Sequence, residues 1–225
     1  MTVNFTTWKG ITDGQTYSIP DGLVAQWQFA ETSGTILASD NAGVDVTLSR
    51  DLPRISDDDY NGGVAPNFDP SENDIGRTEE GALPDVGDTG SFTITVLFES
   101  TDGTMNLMGA KNSGTRLAAR DDGQFDLRLG EDIIRPSPTY NLNEKYRAGV
   151  SWDTGNWQFA LNGDIVDSGT YSGTVSFDSN WYFEFGWREG TGWQHDGPLD
   201  FPRFWKIALD DDGFSEDMQE TNLSD

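Results

Sequence analysis

Apolar side chains recur at every second position along most of the chain, and helical spacing is almost absent. Leu23, Ala25, Trp27 and Phe29 alternate with Val24, Gln26 and Gln28. The same period runs through Phe92, Ile94, Val96 and Phe98, and through Phe125, Leu127 and Leu129 against Gln124, Asp126 and Arg128. It continues in Tyr146, Ala148, Val150 and Trp152, in Trp157, Phe159 and Leu161, and in Trp181, Phe183 and Phe185 against Tyr182 and Glu184. A last run sets Phe204, Lys206 and Ala208 against Arg203, Trp205 and Ile207. Successive side chains of a strand point to opposite faces, so each run predicts a strand with one buried face. Asn162-Gly163 is the strongest turn signal, because both central residues of a type I′ hairpin turn need positive φ. Asp153-Thr154-Gly155, Asp102-Gly103, Asp121-Asp122-Gly123 and Ser172-Gly173 read as further turns. Two antiparallel sheets packed face to face would bury these stripes in one core, which makes the expected fold class all-β.

Three stretches break the pattern. Residues 1–20 carry isolated Phe5 and Trp8 and read as an N-terminal arm or attachment segment, leaving 21–225 for the sandwich. Residues 50–90 are rich in Asp, Gly and Pro and predict a long excursion with one short strand near Val64–Phe68. The tail from Asp210 predicts a short helical turn around Phe214–Glu220.

Composition sharpens this picture. Hydrophobic residues make up only 35% but aromatic residues 12%, so the core must draw on Phe, Trp and Tyr, which bury the most area per residue. With 39 acidic against 14 basic residues, the net charge is -25. The acids are mostly Asp and the bases mostly Arg. Such a surface repels itself in dilute salt, whereas at molar salt the Debye length shrinks to about 3 Å and the repulsion is screened. The composition therefore points to a halophilic protein. It argues against nucleic acid as a partner, because phosphate contacts need clustered Lys and Arg. No cysteine is present, so disulfides and thiol chemistry are absent. No apolar run approaches the roughly 18 residues of a membrane span, and the polar start, Met1 to Asp21, lacks the apolar core of a signal peptide.

The second half carries an ordered set of motifs. Val150-Ser151-Trp152-Asp153 precedes the hairpin Trp157 to Val166, which turns at Asn162-Gly163. Then come Phe183-Glu184-Phe185-Gly186, Asp196-Gly197-Pro198-Leu199-Asp200-Phe201-Pro202-Arg203-Phe204-Trp205, and Ala208-Leu209-Asp210. At the front stand Gly22 to Gly34 and Ser39-Asp40-Asn41-Ala42-Gly43. Over roughly residues 21 to 218 this order resembles the laminin-G-like, concanavalin A-like jelly-roll family of lectin and glucanase domains. The resemblance implies a concanavalin A-like jelly-roll sandwich. It also implies a structural Ca²⁺ between the exit of the first strand and the start of the last, which would recruit Glu31, Asp40 and Asp200.

Catalytic constellations are sparse. Glucanases of this family carry a Glu-x-Asp-x-x-Glu strand, and a retaining pair needs its carboxyl groups about 5 Å apart. Here Trp181 to Trp187 offers only Glu184, and Glu79-Glu80 sits beside Gly and Pro. Polysaccharide lyases of the family use an Arg/Glu/Arg strand, a Gln-x-His strand and a Tyr-Lys strand, which Arg77-Thr78-Glu79-Glu80, Gln194-His195 and Tyr146-Arg147-Ala148-Gly149 match only in part. One His and no Cys leave little room for zinc or triad chemistry. The segment Trp187-Arg188-Glu189-Gly190-Thr191-Gly192-Trp193-Gln194-His195 sets two Trp and several polar groups among glycines. Trp187, Arg188, Trp193, Gln194 and His195 are therefore the candidate sugar-contacting residues, whereas Trp152, Trp157 and Trp181 lie on core stripes. Asp57-Asp58-Asp59 and Asp210-Asp211-Asp212 read as solvated surface.

These readings combine into one expectation: a non-catalytic virion surface protein, a capsid decoration, turret or tail-fibre head. It would adhere through a lectin-like domain to a host cell-surface glycan or glycoprotein at high salt. The arm would contact other virion proteins or build a homo-oligomer such as a trimer, with no membrane insertion. The alternatives are a secreted carbohydrate-binding module of a haloarchaeal protein and a polysaccharide hydrolase or lyase.

Overall fold

The structure is a computed structural model, and it describes residues 6–9, 16–19, 22–40, 43–60, 63–83, 90–101, 105–111, 113–177, 180–188 and 193–219. Strands are numbered in chain order. The first sheet runs β16 (Asp164–Thr170), β15 (Asn156–Leu161), β14 (Lys145–Asp153), β9 (Ser91–Glu99), β20 (Gly197–Trp205), β7 (Val64–Phe68) and β6 (Arg54–Ser56), and β3 (Leu23–Gln26) pairs with β20. The second runs β13 (Asp132–Ile134), β12 (Phe125–Leu129), β11 (Thr115–Ala119), β10 (Met105–Lys111), β17 (Tyr182–Phe185), β8 (Gly76–Thr78), β5 (Val46–Leu48) and β4 (Ile36–Leu37). Every described pairing within them is antiparallel. The fold is an all-β jelly-roll sandwich, as the alternation predicts.

The aromatic stripes close the core. Trp181 meets Phe183, Phe204 and Phe177, each with ring centroids 5.0 Å apart. Edge-to-face geometry dominates, which aligns ring edges with ring faces and adds to the area each ring buries. Trp27 donates its indole N–H to the Val44 carbonyl at 2.7 Å, so its one polar atom is satisfied inside the core. Trp152, Trp157 and Trp181 are all buried. Asn162 and Gly163 take φ of 54° and 98°, the left-handed pair a type I′ turn requires between β15 and β16. The turn expected at Asp102-Gly103 falls outside the described residues.

The excursion over 50–90 holds more structure than its composition suggests. Val64–Phe68 is a strand as expected, but Arg54–Ser56 and Gly76–Thr78 are strands too, and a 3₁₀ turn spans Pro70–Glu72. Within the N-terminal segment β1 (Thr6–Lys9) pairs with β2 (Thr16–Ile19).

The two sheets present different outer faces. On the first, α1 (Asp211–Gln219) lies across the strands, one turn longer at its start than the tail predicts. Phe214 and Met218 pack with Ala160, Trp205 and Leu209 in a second small core. Gly149 makes this possible, because a Cβ there would lie 2.7 Å from the Phe214 ring. The helix is pinned through Asp217. Its carbonyl accepts from Arg147 at 3.0 Å and Arg203 at 3.1 Å, and its carboxylate binds Arg203 at 2.6 Å. All three side chains are buried, so the fixed donor fork of each Arg offsets the cost of taking the charges out of water.

Candidate functional site

The second sheet turns a polar face outward, and one register row crosses it. Thr47 on β5 pairs with Arg77 on β8, Arg77 with Glu184 on β17, and Glu184 with Gly109 on β10. Gly109 then pairs with Arg116 on β11, and Arg116 with Arg128 on β12. The alternation explains why these residues share a face: their neighbours Phe183, Phe185, Met108, Leu117, Leu127 and Leu129 point into the core. Gly109 leaves a gap in the row. That gap forms the floor of a cavity of about 270 Å³, whose lining includes Asn106, Lys111, Arg116, Arg128, Glu131 and Glu184. A Cβ on Gly109 would enter it and lie 3.0 Å from Asn106 Oδ1.

Ion pairs hold the walls. Arg77 Nη2 lies 3.1 Å from Glu184 Oε1. Arg128 donates Nε–H to the Gly130 carbonyl at 2.8 Å and sits 3.6 Å from Glu131, whose side chain is 97% exposed. One strand position further, buried Asp126 is held by Arg135 at 3.1 Å and Arg120 at 3.6 Å. Five of the ten arginines, Arg77, Arg116, Arg120, Arg128 and Arg135, thus lie on or at the ends of four strands of this one sheet. Their carboxylate partners Glu184, Asp122, Asp126 and Glu131 lie on the same sheet or its turns, so the face is a lattice of ion pairs.

A second cavity of about 470 Å³ lies beside β14–β16 and Leu209. Its charged lining residues are Asp153 and Asp210, the sign that the whole surface carries.

The residues singled out in the sequence are only partly brought together. Trp187–Arg188 (β18) and Trp193–Gln194 (β19) form a two-stranded hairpin, with Trp187 opposite Gln194 and Arg188 opposite Trp193. This hairpin packs beside β10 and β17, the strands that floor the first cavity. Residues 189–192 and the side chains of Trp187, Arg188 and Trp193 lie outside what the structure describes. Gln194 donates to Asn73 Oδ1 at 2.7 Å. His195 departs from expectation. It is buried against Phe68, its Nε2 lies 3.2 Å from the Pro198 carbonyl, and burial lowers its pKa to about 4, so it is a neutral interior side chain rather than a ligand contact.

The expected calcium set is also partial. Glu31 Oε1 accepts from the Ala38 amide at 2.6 Å, while its Oε2 is buried with no hydrogen-bond partner among the described residues. Asp40 accepts from Gln26 at 3.1 Å, and its pKa is pushed up to about 6, first by burial and then by the charge of Glu31. Asp200 does not complete the group: it is buried on β20 and accepts from the Phe201 amide at 2.7 Å. Among the described residues no three carboxylate or imidazole groups lie together to hold a metal ion. Phe29 and Phe201, non-glycine residues with φ of 55° and 49°, flank this region. Left-handed backbone at bulky residues is strained and persists only where surrounding structure enforces it.

The lyase-like fragments do not converge. Arg77 lies on the outer face of the second sheet, whereas Arg147 and Gly149 lie on the first, under α1. Asp57 and Asp59, expected as solvated surface, clasp Lys145 at 2.6 and 2.8 Å.

No family model matches the chain, and no curated protein matches it. Solved structures do. Domain 4 of AbnA, a GH43 extracellular arabinanase from Geobacillus stearothermophilus, in complex with arabinotriose, is 16% identical with a TM-score of 0.67, over 88% of this chain and 98% of that one. The binding domain of Paraclostridial Mosquitocidal Protein 1 is 14% identical with a TM-score of 0.71, over 91% of this chain and 53% of that one. The botulinum neurotoxin serotype D binding domain is 11% identical with a TM-score of 0.66, over 90% of this chain and 53% of that one. This chain thus spans about half the length of the two toxin domains. At these identities the likeness is one of fold: the chain shares the jelly-roll β-sandwich of these carbohydrate-associated and toxin binding domains.

Proposed function

We propose that this domain binds carbohydrate, without catalysis, on the outward face of its second sheet, with the Gly109 cavity as the primary site. The observation that carries the reading is the register row Arg77–Glu184–Gly109–Arg116–Arg128, which sets hydrogen-bonding side chains around a gap on a face that no helix covers among the described residues. Binding sites of this kind combine a concave surface with a few convergent polar groups. The hairpin carrying Trp187, Arg188, Trp193 and Gln194 packs beside the strands that floor this cavity. That domain 4 of the arabinanase was solved with arabinotriose supports a sugar-binding use of this fold. The non-catalytic reading is supported by the position of His195 in the interior and by the engagement of Glu184 with Arg77.

A structural Ca²⁺ would draw on Glu31 and Asp40 without Asp200, a reading supported by the buried Glu31 carboxylate oxygen that lacks a hydrogen-bond partner among the described residues and by Asp40, whose charged form is disfavoured first by burial and then by Glu31. The acidic surface supports a working environment of concentrated salt, and on that reading the domain is the adhesive head of a surface-exposed protein, on a virion or a cell.

Gly109→Leu tests the site. It should abolish signals on a glycan array that wild type produces, while leaving the thermal melt cooperative. Equal array signals from the two proteins would refute it.

A further inference from the structure

We infer that Asp167 guards the exposed edge of the first sheet, so that a second copy of this chain cannot add to it strand by strand. The inference concerns the flank of the sandwich and stands apart from the sugar-binding reading.

The need for a guard follows from topology. β16 ends the first sheet and β13 ends the second. β16 runs for 7 residues, whereas the other end strands of the two sheets, β4, β6 and β13, run for 2 or 3. An end strand leaves a row of N–H and C=O groups without a neighbouring strand, and a long one is a template on which another chain can pair. Exposed apolar side chains add to the hazard: Val166 on β16 is 42% exposed and Ile133 on β13 is 52% exposed.

Asp167 answers this hazard with hydrogen bonds. Its Oδ1 accepts from the Ser168 N–H of its own strand at 2.8 Å. Its Oδ2 accepts from the Ser137 N–H at 2.6 Å and from the Ser137 hydroxyl at 3.0 Å. Ser137 lies just beyond β13, so one carboxylate engages the edge of the first sheet and the chain leaving the edge of the second. A second carboxylate acts more loosely beside it: Asp211 of α1 accepts from the Ile165 N–H at 3.4 Å. Two amides of β16 are thus directed onto aspartates instead of an incoming strand.

Charge explains why a local device is required. With a net charge of -25, copies of this chain repel one another in dilute salt. At about 1 M salt the Debye length is about 3 Å, and that repulsion no longer holds two edges apart. Hydrogen bonds at contact distance survive such screening. They keep the edge occupied under the conditions in which the acidic surface ceases to protect it.

The test is sedimentation velocity of the whole chain at about 1 M KCl over a wide range of protein concentration. Asp167→Ala should add a concentration-dependent species larger than any that wild type forms, while its thermal melt at low concentration stays cooperative. Val166→Lys in the Asp167→Ala background should remove that species, because a charged side chain on an edge strand opposes pairing without restoring the lost acceptor. Amide hydrogen exchange locates the event. In dilute Asp167→Ala the Ser168 amide should exchange roughly tenfold faster than in wild type, and it should slow again as the larger species forms. An Asp167→Ala chain that sediments like wild type at every concentration would overturn the inference. So would association that Val166→Lys leaves in place, which would put the contact on another surface. Loss of the cooperative melt in Asp167→Ala would overturn it too, by making Asp167 a brace between the sheets and no guard.

Discussion

Asp40, partly buried, and His195, fully buried, are titratable groups that pull stability in opposite directions with pH. Burial raises Asp40 from 3.8 to about 6 in the folded state, so folding binds a proton that the unfolded chain releases. Stability from this group is therefore lost as pH rises from about 4 to about 6. Burial lowers His195 from 6.5 to about 4, so the unfolded chain takes up a proton that the folded one refuses. Stability from this group is lost as pH falls from 6.5 to about 4. The two effects offset each other near pH 5, and wild type alone hides both. Asp40→Asn should gain roughly 2 kcal/mol near neutral pH, and His195→Gln should remove roughly 2 kcal/mol of acid sensitivity between about pH 7 and 5. Denaturant titrations across pH check this, and variant-minus-wild-type differences that stay flat with pH would contradict it. If Glu31 and Asp40 hold Ca²⁺, the ion should raise the melting temperature of wild type but not of Asp40→Asn. At this scale the sequence is a poor guide. His195 stands among glycines and polar residues, and only its packing against Phe68 and the Pro198 carbonyl makes it interior.

Elements were legible where burial is periodic. Phe92–Phe98, Phe125–Leu129 and Trp181–Phe185 alternate strictly, and each lies in a strand whose apolar side faces the core. Arg54–Ser56 and Gly76–Thr78 were not legible, because three residues carry no period and exist as strands only through distant partners. The candidate site fails to show in the sequence for the same reason. Its row joins residues from β8, β10, β11, β12 and β17, spread over residues 77 to 184. One signal was present: arginines at the polar positions of core stripes, as at Arg128, where a solvated face would serve equally with Thr or Ser. The Trp187–His195 segment, with its clustered aromatic and polar residues, drew attention instead. The helix α1 decides which sheet face stays open, and its seat depends on Gly149. Gly149→Val should force Phe214 and Met218 off the sheet and cost roughly 1–3 kcal/mol, as overpacking does. Urea unfolding measures this; a midpoint unchanged from wild type would mean that the helix is not seated there.

The whole molecule is a sandwich whose first sheet is covered by a helix and whose second sheet carries a polar outer row with Glu184 and Arg116 buried, inside a strongly acidic shell. Net charge of -25 on 225 residues favours expansion in dilute salt. Exposed charges are screened as the Debye length falls from about 10 Å at 0.1 M to about 3 Å at 1 M, so the melting temperature should climb steeply over that range and beyond. A melt independent of salt from about 0.1 M to 3 M KCl would contradict the high-salt reading. The cavity in the second sheet's outer row remains the functional claim. Backbone amide shifts, followed by NMR while an oligosaccharide that gives a glycan-array signal is titrated in, test it most directly. Perturbations should centre on Gly109, Arg116, Arg128 and Glu184, the row across the second sheet. Perturbations confined instead to Ser151, Gln158 and Ser168, around the acidic cavity on the first sheet, would contradict it.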